Sequence, residues 1–230
     1  MSQWLSGDKS SIVFKEKMLL LVQFSMLNRS KMKQKQKADR IIEDGLMALG
    51  LDVQAIGYFQ KEGRILHLKR GEHFMFAGER ARRVGFVCQG ALTGYYLDSK
   101  GNKRSSVFFT PRLRGVASDF PNFLSGEVSE LNIEAIRDSL LLTCDSRCIQ
   151  ALRETSPSFE RWYTLYLEDL YIRSVHMIRA LQKPSTKACI HYLEQKSSDL
   201  FSEIPTTHLA NLLGVHRNTF IRLLRELHTT

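Results

Sequence analysis

The chain has 230 residues, 43% of them apolar and 25% charged, with 33 Lys and Arg against 24 Asp and Glu for a formal net charge of +9. This is ordinary globular composition, so wholesale disorder, collagen-like repeats and small disulfide scaffolds are excluded, and the length suits one large domain or two small ones, either able to bury a core. Cys88, Cys144, Cys148 and Cys189 form no Cys-x-x-Cys pair and point to a reducing compartment with buried thiols.

The basic excess is uneven. Residues 1–40 carry nine Lys and Arg against three Asp and Glu, residues 41–182 carry 18 against 17, and residues 183–230 carry six against four. Overall charge is therefore a weak pointer to nucleic acid, and local pattern has to decide. The apolar run from Met18 to Leu27, preceded by Lys15 and Lys17, is shorter than the roughly 20 residues that span a bilayer. Gln23 and Ser25 interrupt it, and Asn28-Arg29-Ser30-Lys31 follows where a small-residue cleavage site would stand, so no membrane partner and no export signal are expected. Residues 1–37 are expected to be a disordered extension, residues 1–31 are uninformative about function, and Met32 is an alternative translation start.

From residue 38 to 60, Ile41, Ile42, Leu46, Leu49 and Val53 recur at helical spacing and predict one helix or two. The period then changes. Ile65 to Leu68, Phe74 to Phe76, Val84 to Cys88, Leu92 to Leu97 and Val107 to Phe109 are short β-rich runs, separated by turns such as Gly71-Glu72, Gly78-Glu79, Gln89-Gly90 and Asp98 to Asn102. After a Gly- and Pro-rich middle, Leu131 to Ile136 and Leu140 to Cys144 complete a pattern that predicts an antiparallel sandwich or barrel.

Residues 146–155 read as a helix, broken by Ser156-Pro157-Ser158, which caps the next. Phe159 to Leu181 contains no Gly or Pro, and Tyr163, Leu167, Leu170, Ser174, Met177 and Leu181 follow heptad-like spacing, with Leu165, Ile172 and Val175 off that seam. The segment is either a dimer contact or a long core helix of one monomer. Lys183-Pro184-Ser185 ends it, and Ser185 or Thr186 begins a further helix containing Ala188, Ile190, Tyr192 and Leu193.

Residues 206–227 predict a helix-turn-helix. Thr206 or Thr207 would cap a short helix with Leu209, Leu212 and Leu213 facing inward, and Ala210 is small where a second helix crosses. Gly214 supplies the sharp turn, Val215 plugs the gap, and Phe220, Leu223, Leu224 and Leu227 line the inner side of a second helix begun by His216 or Arg217. The major groove admits one such helix, whose first turns reach base edges. Arg217 and Arg222 suit guanine or phosphate and Asn218 suits adenine, whereas Thr207, His216 and Thr219 suit phosphates. Arg225 lies further along, toward backbone or solvent. The alternative is an αα-hairpin with a solvated outer face.

In this order, sheet domain, long helix and terminal helix-turn-helix, residues 40–227 resemble the Crp/Fnr family of bacterial transcription regulators. The marks of a cyclic-nucleotide-binding-type β-roll are Leu68-x-x-Gly71-Glu72, Gly78-Glu79, Val87 to Gly90, Tyr95-Tyr96 with Gly101, and Ile133 to Ile136. The resemblance implies an α+β fold made of an N-terminal antiparallel, jelly-roll-like β-roll, a long dimerisation helix and a C-terminal, winged-helix-like helix-turn-helix. The corresponding ranges are 38–155, 156–182 and 183–230. It further implies base-reading positions for Arg217, Asn218 and Arg222.

The chain departs from the family in several places. In the region matching the phosphate cassette, Gly115 to Phe120 places Val116 where a ribose-binding Glu belongs, no Arg precedes Leu131, and Glu127 and Glu130 would repel a phosphate. Cyclic-AMP binding is therefore expected to be weak or absent. With no Cys before Cys88, an iron–sulfur cluster of the oxygen-sensing kind is not expected, and Cys144-x3-Cys148 is too sparse for a metal site. The chain ends three residues after Leu227, so the family's β-wing is expected to be missing or displaced.

A metal-enzyme reading of His67, Glu72 and His73 lacks His-x-His, and there is no Walker loop, nucleophile elbow or GxGxxG. The expectation is a cytoplasmic, non-enzymatic DNA-binding regulator without cofactor or metal, acting as a homodimer on a pseudo-palindromic operator. Double-stranded DNA, a second copy of the chain and RNA polymerase are its implied partners, and the effector is unassigned. A non-DNA-binding effector sensor or scaffold is the alternative.

Overall fold

The computed structural model describes residues 26, 29 and 32–229. Two compact units divide between Ile41 and Ile42. In the first, residues 26, 29 and 32–41 are helical. That differs from the expected disorder at residues 32–37, where Lys33 to Lys37 alternate Lys and Gln, both good helix formers. The rest of the 1–37 extension lies outside the described residues.

The second unit opens with helical residues 42–48 (α1), which bury Ile42 and Leu46, and with α2 (Val53–Glu62), whose N-cap Asp52 accepts from the Ala55 N–H at 2.8 Å. The hydroxyl of Ser158 also donates to Asp52, and this bond holds the Asp52 carboxyl below its usual range. Eight strands follow as β1 (Arg64–Leu68), β2 (His73–Met75), β3 (Arg83–Gln89), β4 (Leu92–Leu97), β5 (Lys103–Phe109), β6 (Val116–Ala117), β7 (Asn132–Ala135) and β8 (Ser139–Asp145). They form two antiparallel sheets, ordered β1-β8-β3-β6 and β2-β7-β4-β5.

Phe74, Val87, Leu92, Ile133 and Leu141 are fully buried in one core built from strands of both sheets. Each such side chain contributes about 1.5–3 kcal/mol by leaving water. The β4–β5 hairpin closes as expected over Asp98, whose Oδ1 accepts from the Lys100 and Asn102 N–H groups at 2.9 Å. Gly90 adopts φ +93° at the β3–β4 turn, with Ser139 and Asp138 so close that a Cβ would meet Ser139 Oγ at 2.3 Å. A short helix, α3 (Phe120–Ser125), occupies the Gly- and Pro-rich middle, where sequence pattern offered only breakers.

Helix α4 (Ser146–Thr155) is capped by Asp145, and α5 (Pro157–Leu181) by Ser156. The 25-residue α5 buries Phe159, Tyr163 and Leu170 against the roll. There Phe59, Phe86, Phe159, Trp162 and Tyr166 pack ring on ring, with Trp162 and Tyr166 stacked at 5.3 Å and 11°. The expected heptad seam is therefore split. Tyr163 and Leu170 are consumed by this monomer, while Leu165, Tyr171, Ile172, Ile178 and Leu181 are exposed. Helices α6 (Thr186–Lys196), α7 (Ser198–Glu203), α8 (Thr206–Leu212) and α9 (Arg217–His228) complete the chain, and no described strand follows α9.

Candidate nucleic-acid interface

The α8–α9 pair forms as the sequence predicts, with one change at its start. Pro205, not Thr206 or Thr207, is the N-cap of α8, and both threonines lie inside the helix. Pro205 cannot continue a helix on its N-terminal side, and its carbonyl accepts from the His208 and Leu209 N–H groups at 2.9 and 3.2 Å. Leu209 and Ala210 are buried, Gly214 takes φ +67°, and the Val215 N–H bonds the Ala210 carbonyl at 3.0 Å. This left-handed residue lets the chain reverse within four residues.

His216 is the N-cap of α9, and its ring Nδ1 accepts from the Asn218 N–H at 3.3 Å. Its ring thus has a structural partner besides the phosphate expected for it. Phe220 anchors α9, with no exposed surface and its ring stacked on Phe201 at 6.4 Å. Leu223, Leu224 and Leu227 pack against the same core, which contains Ile190 and Leu193 of α6.

The opposite face carries Arg217, Asn218, Arg222 and Arg225, all exposed, with Thr219 half-buried beside them. Thr207 on α8 is exposed as well. Asn218, Arg222 and Arg225 are spaced by four and three, so they share one helix face and line a shallow groove with Ile221 and with Lys187 of α6. Lys187 was not legible as a site residue because it reaches the groove through α6–α9 packing from 31 positions before Asn218. Arg222 is held by Glu226 at 2.5 Å, and Lys187 lies 3.9 Å from the same carboxylate. Glu226 thus orients two cations on an exposed surface, where such pairs are weak enough to be exchanged for phosphate.

Helix α8 also packs on the roll at β5. His208, half-buried there, is pushed below the usual histidine range by burial and by the cations Arg70 and Lys103, with Glu134 opposing. Beside it, Lys103 pairs with Glu134 and lies 4.6 Å above the Tyr95 ring, whose hydroxyl is 2.9 Å from His73 Nε2. His67 sits on β1 of the other sheet, and Glu72 accepts the Lys69 N–H at 2.8 Å, so the structure does not gather His67, Glu72 and His73. Among the described residues, no group of three or more His, Cys, Asp or Glu is arranged to hold a metal.

The segment matched to the phosphate cassette is built differently from expectation. Glu127 and Glu130 are exposed, and the carboxylate that fills the site is Asp119, only 4% exposed. Its Oδ2 accepts from Asn122 Nδ2 at 2.9 Å, Ser129 Oγ at 3.0 Å and the Glu130 N–H at 3.0 Å. One oxygen thus gathers three donors of the kind an anionic ligand would need. The nearby Tyr96 hydroxyl is raised by burial and by the negative charges of Asp119 and Glu130.

No protein-family model and no curated protein matches the chain. Solved structures do. CLP of Xanthomonas campestris, a c-di-GMP-responsive global regulator, superposes with a TM-score of 0.59 at 15% identity, over 77% of this chain and 92% of that one. FixK2 of Bradyrhizobium japonicum gives 0.55 at 20% identity, over 73% and 85%. A transcriptional regulator of the Crp/Fnr family from Eubacterium rectale gives 0.55 at 16% identity, over 78% and 85%. Two antiparallel sheets, a long helix and a terminal helix pair give this chain the fold of the Crp/Fnr regulators.

Proposed function

We propose that the chain is a sequence-specific DNA-binding transcription regulator that acts as a homodimer in the cytoplasm on a pseudo-palindromic operator. The observation that carries this reading is the outer face of α9. Arg217, Asn218 and Arg222 stand exposed at its first two turns, while Phe220 locks the inner face. A helix decorated in this way fits the major groove, where Arg forks to guanine and Asn pairs with adenine. Thr207, His216 and Thr219 are the phosphate contacts that fix its register.

The second copy is assigned to α5. Leu165, Tyr171, Ile172, Ile178 and Leu181 leave large apolar side chains exposed along a helix that buries Phe159, Tyr163 and Leu170. The roll serves as the sensing domain in this scheme. Asp119 supports a pocket closed to cyclic nucleotides, because a phosphate would meet a carboxylate already holding the donors. RNA polymerase is the further partner this reading implies.

Selection from a random duplex library, followed by fluorescence anisotropy on the winning sequence, tests the reading. Affinity should fall steeply with added salt, with a log–log slope of about −0.9 per phosphate neutralised. Arg217→Ala and Arg222→Ala should each cost about 1–3 kcal/mol on the selected site and blur preference at one base pair. Absence of binding to any duplex at low salt favours a sensor or scaffold instead, and unchanged affinity in both variants refutes the site.

A further inference from the structure

We propose that Arg114 and Arg173 hold a small oxoanion in a hollow between the roll, α5 and α7, and that this anion is the effector of the sensing domain. The effector role rests on the regulator reading above, whereas the binding site does not. The hollow measures about 40 Å³, room for roughly three waters and too little for a nucleotide. Three parts of the chain wall it. Phe108 and Arg114 come from the end of β5 and the loop after it, Arg173 and Met177 from α5, and Ser197 and Leu200 from the start of α7.

The loop is shaped to present Arg114. Among the described residues, Arg114 is the one non-glycine residue with positive φ, at +55°. A side chain in that region is strained, and such strain collects at ligand clamps. Thr110 closes the loop, its N–H donating to the Leu113 carbonyl at 2.8 Å and its hydroxyl accepting the Leu113 N–H at 3.0 Å. The Tyr166 hydroxyl of α5 donates to the Arg114 carbonyl at 3.1 Å. The guanidinium then reaches α5, where Nη2 donates to Ser174 Oγ at 3.2 Å, and Ser174 donates in turn to the Leu170 carbonyl at 2.7 Å. Among the described residues this is the one hydrogen bond of the Arg114 side chain, and its acceptor carries no charge.

The local charges do not cancel. Arg173 Nε donates to Asp169 Oδ2 at 2.6 Å, so one carboxylate answers one of the two cations. The loop's other arginine, Arg112, lies 3.7 Å from Glu203 of α7 and is answered there. Burial, joined by the like charge of Arg173, pushes Arg114 below the usual arginine range, with Tyr166 and Asp169 opposing. An arginine stays protonated even so, and an anion relieves the excess. The planar guanidinium fork matches two oxygens of an oxoanion. Ser197 adds a hydroxyl to the wall that makes no hydrogen bond to its own helix. A ligand held there touches the roll, the long helix and the DNA-binding helices at once.

Isothermal titration calorimetry on the full chain tests the site, with sodium nitrate and sodium phosphate as the probes and sodium chloride holding ionic strength constant. Saturable binding of one or both, a single anion per chain, is expected. Arg173→Gln should weaken it by about tenfold or more, the scale of one charge-assisted hydrogen bond. Arg114→Gly should weaken it as much and still fold, because glycine takes φ +55° without strain. Asp169→Asn releases Arg173 and should tighten binding, a gain that damaged folding cannot produce. No saturable binding of either anion overturns the site, and so does binding that all three substitutions leave unchanged, the result expected of an anion on the exposed α9 arginines. A second arm measures affinity for the selected duplex with and without the tighter-binding anion at saturation. A change that Arg114→Gly abolishes is expected. Equal affinities overturn the effector role and leave the site standing, whereas a chain that binds the anion but no duplex overturns the regulator reading instead.

Discussion

Replacing Asp119 by alanine and by asparagine separates charge from geometry at the buried carboxylate beside α3. All three donors converge on one oxygen, Oδ2, which an Asn amide oxygen can reproduce in place. The Asn variant therefore loses only the charge-assisted part of those bonds, about 1 kcal/mol. Alanine removes the acceptor. Ser129 can turn its hydroxyl fully to the Leu131 carbonyl at 3.0 Å, and the half-buried Asn122 amide can find water, so one Glu130 N–H is left without a partner. An orphaned N–H costs about 1–3 kcal/mol, and the small void adds to it, so about 2–3 kcal/mol is expected for Asp119→Ala. For a chain of this size that lowers Tm by roughly 4–12 °C. Urea and thermal unfolding measure the loss. Formate at about 0.1 M should restore part of it in the Ala variant by refilling the anion position, and should leave the unsubstituted chain unchanged. An Ala variant as stable as the parent, or an Asn variant as costly as Ala, refutes the assignment of Asp119 as a built-in anion.

At the β3–β4 turn, Gly90→Ala meets both a left-handed φ of +93° and Ser139 Oγ at 2.3 Å, so a loss of about 2–4 kcal/mol in urea unfolding is expected. The histidine beneath α8 gives a pH signature. Because the folded state depresses His208, the unfolded chain takes up this proton first, and stability should fall as pH drops from about 6.5 toward the depressed folded value. His208→Gln should flatten that part of the stability–pH curve, and an unchanged slope would discount the influence of Arg70 and Lys103. On α5, Ile172→Glu puts a charge on an exposed apolar face and should shift sedimentation from dimer to monomer with little loss of monomer stability.

Much of this architecture was legible because local chemistry and tertiary demand agree. The strands between Arg64 and Asp145 are marked by Gly turns such as Gly71, Gly90 and Gly101, all at positive φ. The α8–α9 pair is marked by Ala210, Gly214 and Phe220, a small residue, a left-handed turn and an inward anchor at helix-turn-helix spacing. The sequence leaves the seam of α5 open between a dimer contact and a core helix for a physical reason. Apolar residues cover most of its circumference, and spacing alone cannot tell that Tyr163, beside the Phe159 ring, and Leu170 are buried within the monomer. Helix α3 was hidden because Pro121 and Gly126 read as breakers, although one stands in its first turn and the other is its left-handed C-cap. Asp119 was overlooked in favour of Glu127 and Glu130 because the sequence shows which acids are near the cassette, not which one turns inward.

The C-terminal helices and the roll are not separable parts. Ala91, Phe108, Leu113 and Ile136 of the roll sit in the same apolar cluster as Ile190, Leu200, Leu209 and Phe220 of the last four helices. A fragment cut in the loop between α5 and α6 would carry a raw hydrophobic wound on each side, and grafting the helix pair onto a foreign scaffold would require rebuilding that shared wall. A deformation of the roll at Ala91, Phe108, Leu113 or Ile136 would therefore be felt directly by the helix pair packed on it.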